Sequence, residues 1–119
     1  RFFEVNVMSG VRFTRHYAPG MAGRGWGRIV FVSRESALNI PRERIHYGMT
    51  KTAQLSVSRG FAMELAGTGV TVNALLPGPT HTENTDRMRA ERARATGVTV
   101  AEIEAAFLRD FRPTSLIRR

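Results

Sequence analysis

Apolar side chains recur through the first eighteen residues at Phe2, Val5, Val7, Met8, Val11, Phe13 and Tyr17. That spacing is consistent with a helix over residues 2–18, and Pro19-Gly20 is read as its stop. The pattern then changes. Arg28-Ile29-Val30-Phe31-Val32-Ser33 is a short, nearly unbroken apolar run, as in a strand buried on both faces of a parallel sheet. Residues 34–43 are polar and irregular and include Pro41. A long helix is predicted from about Arg44 to Ala66, ended by Gly67 in the C′ position. Val70 to Leu76 reads as a second buried strand, broken by Pro77-Gly78-Pro79. Two short helices follow; the second opens on a capping box, Thr99 with Glu102, and ends before Pro113.

The order helix, strand, helix, strand, helix predicts an α/β fold with an open parallel sheet. A glycine-rich stretch, Gly20 to Gly27, resembles a phosphate-binding loop in composition only. Such a loop follows a strand and opens a helix, whereas this one follows a helix and opens a strand, so a plain turn is predicted. Two strands do not make a stable sheet alone. The chain is therefore expected to hold one partial domain over residues 1–119, completed by a further segment or a partner.

Charge and composition narrow the function classes. The chain carries a formal +8 over 119 residues and has no cysteine. That excludes disulfide scaffolds, thiolate nucleophiles and cysteine-ligated metals, and it fits a cytoplasmic location. No apolar run is long enough for a helical membrane span. The densest basic cluster, Arg87, Arg89, Arg92 and Arg94, is interleaved with Glu83, Asp86 and Glu91 and has no aromatic residue for base stacking. It is read as a solvated helix face, and no nucleic-acid partner and no metal are expected.

The candidate chemistry sits at the start of the long helix, in His46-Tyr47-Gly48-Met49-Thr50-Lys51. Lys51 is the only lysine of the chain, and it lies four residues after Tyr47, one helical turn along the same face. A phenol is ionised to only about one part in a thousand at neutral pH. A nearby ammonium favours the phenolate, which makes such a pair a candidate proton donor and acceptor. The same spacing also describes an aromatic side chain packed beside a solvated lysine.

Several further stretches coincide in order and spacing: Asn6 in the first helix, Gly27-Arg28-Ile29-Val30-Phe31-Val32-Ser33 in the strand, Tyr47-x-x-x-Lys51, Ser58 to Leu65, and Gly69-Val70-Thr71-Val72-Asn73-Ala74-Leu75-Leu76-Pro77-Gly78-Pro79-Thr80-His81-Thr82. In these the chain resembles the short-chain dehydrogenase/reductase family. The resemblance implies part of a Rossmann-like, doubly wound parallel sheet and an oxidoreductase that uses NAD or NADP to move a hydride to or from an alcohol or ketone. It implies that Tyr47 is the general acid and base, that Lys51 eases its ionisation and holds the nicotinamide ribose, and that Asn6 supports a water-linked proton relay. It implies that Pro77 and Gly78 run along the nicotinamide, and that Thr80 and Thr82 touch its carboxamide and the nearby phosphate. Plainer roles stand beside these: Asn6 as a surface amide, Pro77-Gly78 as a strand stop, Thr82 as a helix N-cap.

Two departures matter. The family serine that contacts the substrate oxygen lies thirteen residues before the tyrosine, where this chain has Arg34; Ser33 and Ser36 flank it, and either one of them replaces it or the site is impaired. The family's glycine-rich phosphate loop and the segment that selects NAD or NADP have no counterpart in these residues, so the chain alone is expected to bind dinucleotide weakly or not at all. Residues 83–112 match the family's substrate-covering region; Met88, Ile103, Phe107 and Phe111 either line an apolar pocket or form the buried side of two helices. The implied partners are a small alcohol or carbonyl compound and, in a full-length parent, other copies of the chain. The alternative reading is a non-catalytic fragment that acts only through helix–helix association.

Overall fold

The computed structural model describes residues 1–111, with side chains to residue 110. They form two compact units, one from Arg1 to Pro77 and one from Gly78 onward. The predicted stop at Pro113 and the Phe111 side chain lie outside the described residues.

The first unit begins with a π-helical turn, Glu4–Met8, that runs into α1, Ser9–Gly23. Pro19 does not end this helix, which continues for another turn. A proline inside a helix removes one backbone hydrogen bond, to the carbonyl four residues back. Here that residue is Arg15, and both Arg15 and Pro19 are exposed, so water can satisfy the freed carbonyl. The extra turn carries Met21 and Ala22 onto the apolar core, which offsets the lost bond. The turn Arg24-Gly25-Trp26 then leads into a strand, as expected for the glycine-rich stretch.

Strand β1, Gly27–Val32, pairs in parallel with β2, Val70–Leu75, in register from Gly27 opposite Val70 to Val32 opposite Leu75. Between them, two short 3₁₀ turns, Glu35–Ala37 and Arg42–Arg44, lead into α2, Ile45–Glu64. This is a βαβ crossover, the unit from which parallel sheets are built. Gly67 takes a left-handed turn (φ 78°) just past the end of α2. Gly69 is also left-handed (φ 77°), and its α-carbon lies so close to the Gly25 carbonyl that no side chain would fit. Gly48 is required for a different reason: a Cβ there would stand 2.6 Å from Ile40 Cγ2, so only glycine lets α2 close on the preceding connection.

Ala18, Phe31, Leu65, Val70 and Val72 form the buried centre, with Val57, Phe61 and Ala62 of α2 against it. Both helices therefore cover one side of the sheet. Alternation along the strands sends Ile29 and Phe31 inward and Val30 and Val32 outward. Val30, Val32 and Leu75 are 57%, 58% and 56% exposed. The strands were expected to be buried on both faces; in this chain one face is open. The apolar runs carry the composition of a two-sided strand, but α1 and α2 cover only one side.

In the second unit, α3 spans Glu83–Thr96 and α4 spans Val100–Phe111. Thr82 caps α3: its hydroxyl accepts the Thr85 N–H, while the Thr85 hydroxyl accepts the Thr82 N–H at 2.8 Å. The Thr99 box at α4 forms as the sequence predicts, with the Glu102 carboxylate accepting the Thr99 N–H at 2.7 Å and Glu102 N–H reaching the Thr99 hydroxyl. Arg87, Arg92 and Arg94 are solvated, but Arg89 turns inward to His81 Nδ1 at 3.0 Å and Asp86 at 3.6 Å. His81 Nε2 in turn lies 3.0 Å from Glu104 of α4, at ion-pair distance though off the line of a hydrogen bond. Ile103 and Phe107 are half-buried and Met88 is half exposed.

Candidate active site

The carboxyl ends of β1 and β2 point the same way, and in open parallel sheets that edge is where ligands bind. Hydrogen bonds extend the pairing past both strands: Ser33 N–H donates to Leu75 O at 2.9 Å, and Glu35 N–H to Pro77 O at 3.2 Å. Ser33, Arg34 and Pro77 are thereby gathered at one corner.

Helix α2 presents Tyr47 and Lys51 there. The Lys51 ammonium donates to the Val32 carbonyl at 3.3 Å and to Gln54 Oε1 at 3.0 Å, and it stands 5.7 Å from the centre of the Tyr47 ring. At that distance a cation is attracted by the aromatic face. The two side chains converge, as the four-residue spacing predicts. Both are half-buried. Burial holds the Lys51 ammonium below its ordinary pKa, and the positive charge of Arg34 lowers it further.

Asn6 lies within the π-helical turn, a form of helix that recurs at functional sites. Its Nδ2 donates to the Thr50 hydroxyl at 3.0 Å, and that hydroxyl donates to the Tyr47 carbonyl at 2.8 Å. Thr50 is 1% exposed and is thus a fully buried bridge between Asn6 and the helical turn that carries Tyr47. The Phe2 ring meets the Tyr47 ring edge-on at 6.2 Å, and a cleft of about 400 Å³ opens beside Asn6, lined by Arg1, Phe2 and Val5.

The two candidate serines differ. Ser33 is buried, and its hydroxyl donates to the Lys51 carbonyl at 2.8 Å, which ties the strand end to α2. Ser36 is also buried, and its hydroxyl has no hydrogen-bond partner among the described residues. Gly78, Thr80 and Thr82 belong to the second unit, where Thr80 donates to the Gly78 carbonyl and Thr82 caps α3.

Sequence reasoning missed Thr50, Gln54 and Phe2. A signal for the first two was present: they are polar residues three positions after Tyr47 and Lys51 respectively, on the helix face that is buried. A nicotinamide ribose asks for hydroxyl and ammonium groups at a strand end, and Tyr47 and Lys51 fit that end of a dinucleotide. The pyrophosphate end has no glycine-rich holder within these residues.

The short chain dehydrogenase family model matches residues 1–93, and the chain belongs to this family. It is 47% identical, over all 119 residues, to the uncharacterized oxidoreductase YvaG of Bacillus subtilis (strain 168), and 43% identical to the uncharacterized oxidoreductase YvrD of the same organism. It spans 45% of the length of each. Among solved structures, L-sorbose reductase from Gluconobacter frateurii, complexed with NADPH and L-sorbose, superposes with a TM-score of 0.78 at 27% identity, covering 86% of this chain and 39% of the reductase. The α/β architecture with a parallel sheet, expected from the residue pattern, is thus shared with a reductase solved in complex with NADPH.

Proposed function

We propose that these residues form the proton-transfer side of an NAD(P)-dependent oxidoreductase that interconverts an alcohol and a carbonyl compound. The observation that carries the reading is the Lys51 ammonium held 5.7 Å from the Tyr47 ring at the carboxyl end of β1. A bound dihydronicotinamide would supply the hydride. The chain's own residues manage the proton. The Tyr47 hydroxyl gives its proton to the carbonyl oxygen as the carbon accepts the hydride, and in the reverse direction it takes the alcohol proton. Lys51 stabilises the resulting phenolate and has donors left for ribose hydroxyls. Asn6 steadies the Tyr47 turn through Thr50 and stands beside a cleft that water can enter to return the proton. Ser33 acts as a tether between strand and helix. Pro77 and Gly78 would border the nicotinamide, and Thr80 and Thr82 its carboxamide and phosphate.

The test is Tyr47→Phe in the complete product of the gene, assayed by loss of NAD(P)H absorbance with a panel of ketones. Activity should fall by at least about a hundredfold, with the urea midpoint unchanged. Retained activity would overturn the reading. A second reading, association through bare helix faces, is favoured by Phe13, Tyr17 and Met63, which are 64%, 55% and 72% exposed. Light scattering that rises with concentration, together with absent ketone reduction, would support it.

A further inference from the structure

We propose that Arg34 turns the mouth of this site into an anion subsite, so that the preferred substrate is an oxo acid or hydroxy acid, bound by its carboxylate, rather than a neutral ketone or alcohol. The inference rests on the oxidoreductase reading and adds the substrate class. Three candidate side chains follow β1 at this corner. The Ser33 hydroxyl is engaged by the Lys51 carbonyl, and the Ser36 hydroxyl is enclosed. Arg34 alone is exposed, on extended backbone (φ −167°, ψ 159°) that continues the strand out toward the ligand-binding edge. Its guanidinium forms no hydrogen bond or ion pair among the described residues.

Among the described residues the neighbouring cation has no counter-ion either. There the Lys51 ammonium meets neutral oxygens, Val32 O and Gln54 Oε1. Arg34 follows Ser33, whose hydroxyl bonds the Lys51 carbonyl, and its positive charge disfavours that of Lys51. Two cations at the same strand end, each with unused donors, form an arrangement that a carboxylate would relieve. The planar guanidinium suits it in particular, because two of its N–H groups match the two carboxylate oxygens. A neutral ketone offers one oxygen and leaves the repulsion in place.

The test uses the complete gene product with acetoacetate and 2-butanone, each with NADH and NADPH, in the wild type, Arg34→Ser and Arg34→Lys. The wild type should prefer acetoacetate. In Arg34→Ser the ratio of kcat/KM for acetoacetate over 2-butanone should fall by about ten- to a hundredfold, mainly through KM, the size expected for one charge-assisted contact. Arg34→Lys should recover part of it. A ratio unmoved by Arg34→Ser, or a wild type that prefers 2-butanone, overturns the inference while leaving the oxidoreductase reading intact. If neither compound is reduced, the oxidoreductase reading is the one in difficulty. The subsite is then judged by the Arg34 Nε–H resonance of the same protein, titrated with acetoacetate and separately with inorganic phosphate. A saturable shift with acetoacetate supports the subsite; no shift, or a shift with phosphate alone, overturns it.

Discussion

The amide of Asn6 donates to the hydroxyl of Thr50 at 3.0 Å, across 44 residues of chain. The same hydroxyl donates to the Tyr47 carbonyl, so one buried atom both accepts and donates. Thr50→Val keeps the shape and removes both bonds, which leaves the Asn6 amide short of an acceptor. The expected loss is about 1–3 kcal/mol in urea unfolding of the gene product. Thr50→Ser should restore most of it.

Lys51 gives a pH dependence of definite sign. Its folded pKa lies below the ordinary value of 10.5, through burial first and the charge of Arg34 second. Below the lowered value both folded and unfolded chains hold the proton, and the cost of the buried charge is fully present. Between the lowered value and 10.5 the unfolded chain holds more protons, so stability rises with pH across that window. Urea midpoints measured from pH 7.5 upward should therefore gain less in Lys51→Met than in the wild type. Arg34→Ser should narrow the window, and the Lys51 Cε chemical shift, followed by titration, reads it directly.

At the start of α4 the sign is opposite. The Glu102 carboxylate is held below its ordinary pKa by the Thr99 N–H first and the Thr99 hydroxyl second. Its contribution is present above the unfolded carboxylate value and is lost as pH falls through the folded one. The α4 carbon chemical shifts should lose helical character on acidification in the wild type. In Glu102→Gln that acid-dependent loss should be much smaller.

The 119 residues alone should bind NADPH poorly. They hold the groups that suit the nicotinamide end and no glycine-rich cradle for the pyrophosphate, where helix N-termini and backbone amides normally supply much of the grip. Fluorescence titration should give a dissociation constant well above 1 µM, on the order of 100 µM or weaker, about −5 kcal/mol. A submicromolar value would contradict this.

Most of the secondary structure was legible because it depends on local periodicity. β1 and β2 fall within a residue or two of their apolar runs, and the Thr99–Glu102 box forms as its spacing predicts. Pro19 misled because a proline is judged locally as a helix stop, whereas the exposure of Arg15 and the seating of Met21 and Ala22 on the core decide whether the helix goes on. Arg89 misled for a related reason. Its charge pattern is that of a solvated face, but Asp86 and His81 give it partners that a linear reading does not bring together.

The sequence by itself determined that Tyr47 and Lys51 share one face of one helix, because a separation of four residues and a helical turn of 3.6 leave no other arrangement. It also determined the order of elements and the family pattern they follow. Only the tertiary structure decided what surrounds that pair: the Val32 carbonyl that receives the Lys51 ammonium, the Thr50 bridge to Asn6, the tethering of Ser33, the enclosure of Ser36 and the exposure of Arg34. Those contacts join residues 18 to 44 positions apart or depend on which face a strand end presents. They are set by how α2 settles on the sheet, and local periodicity carries no information about that.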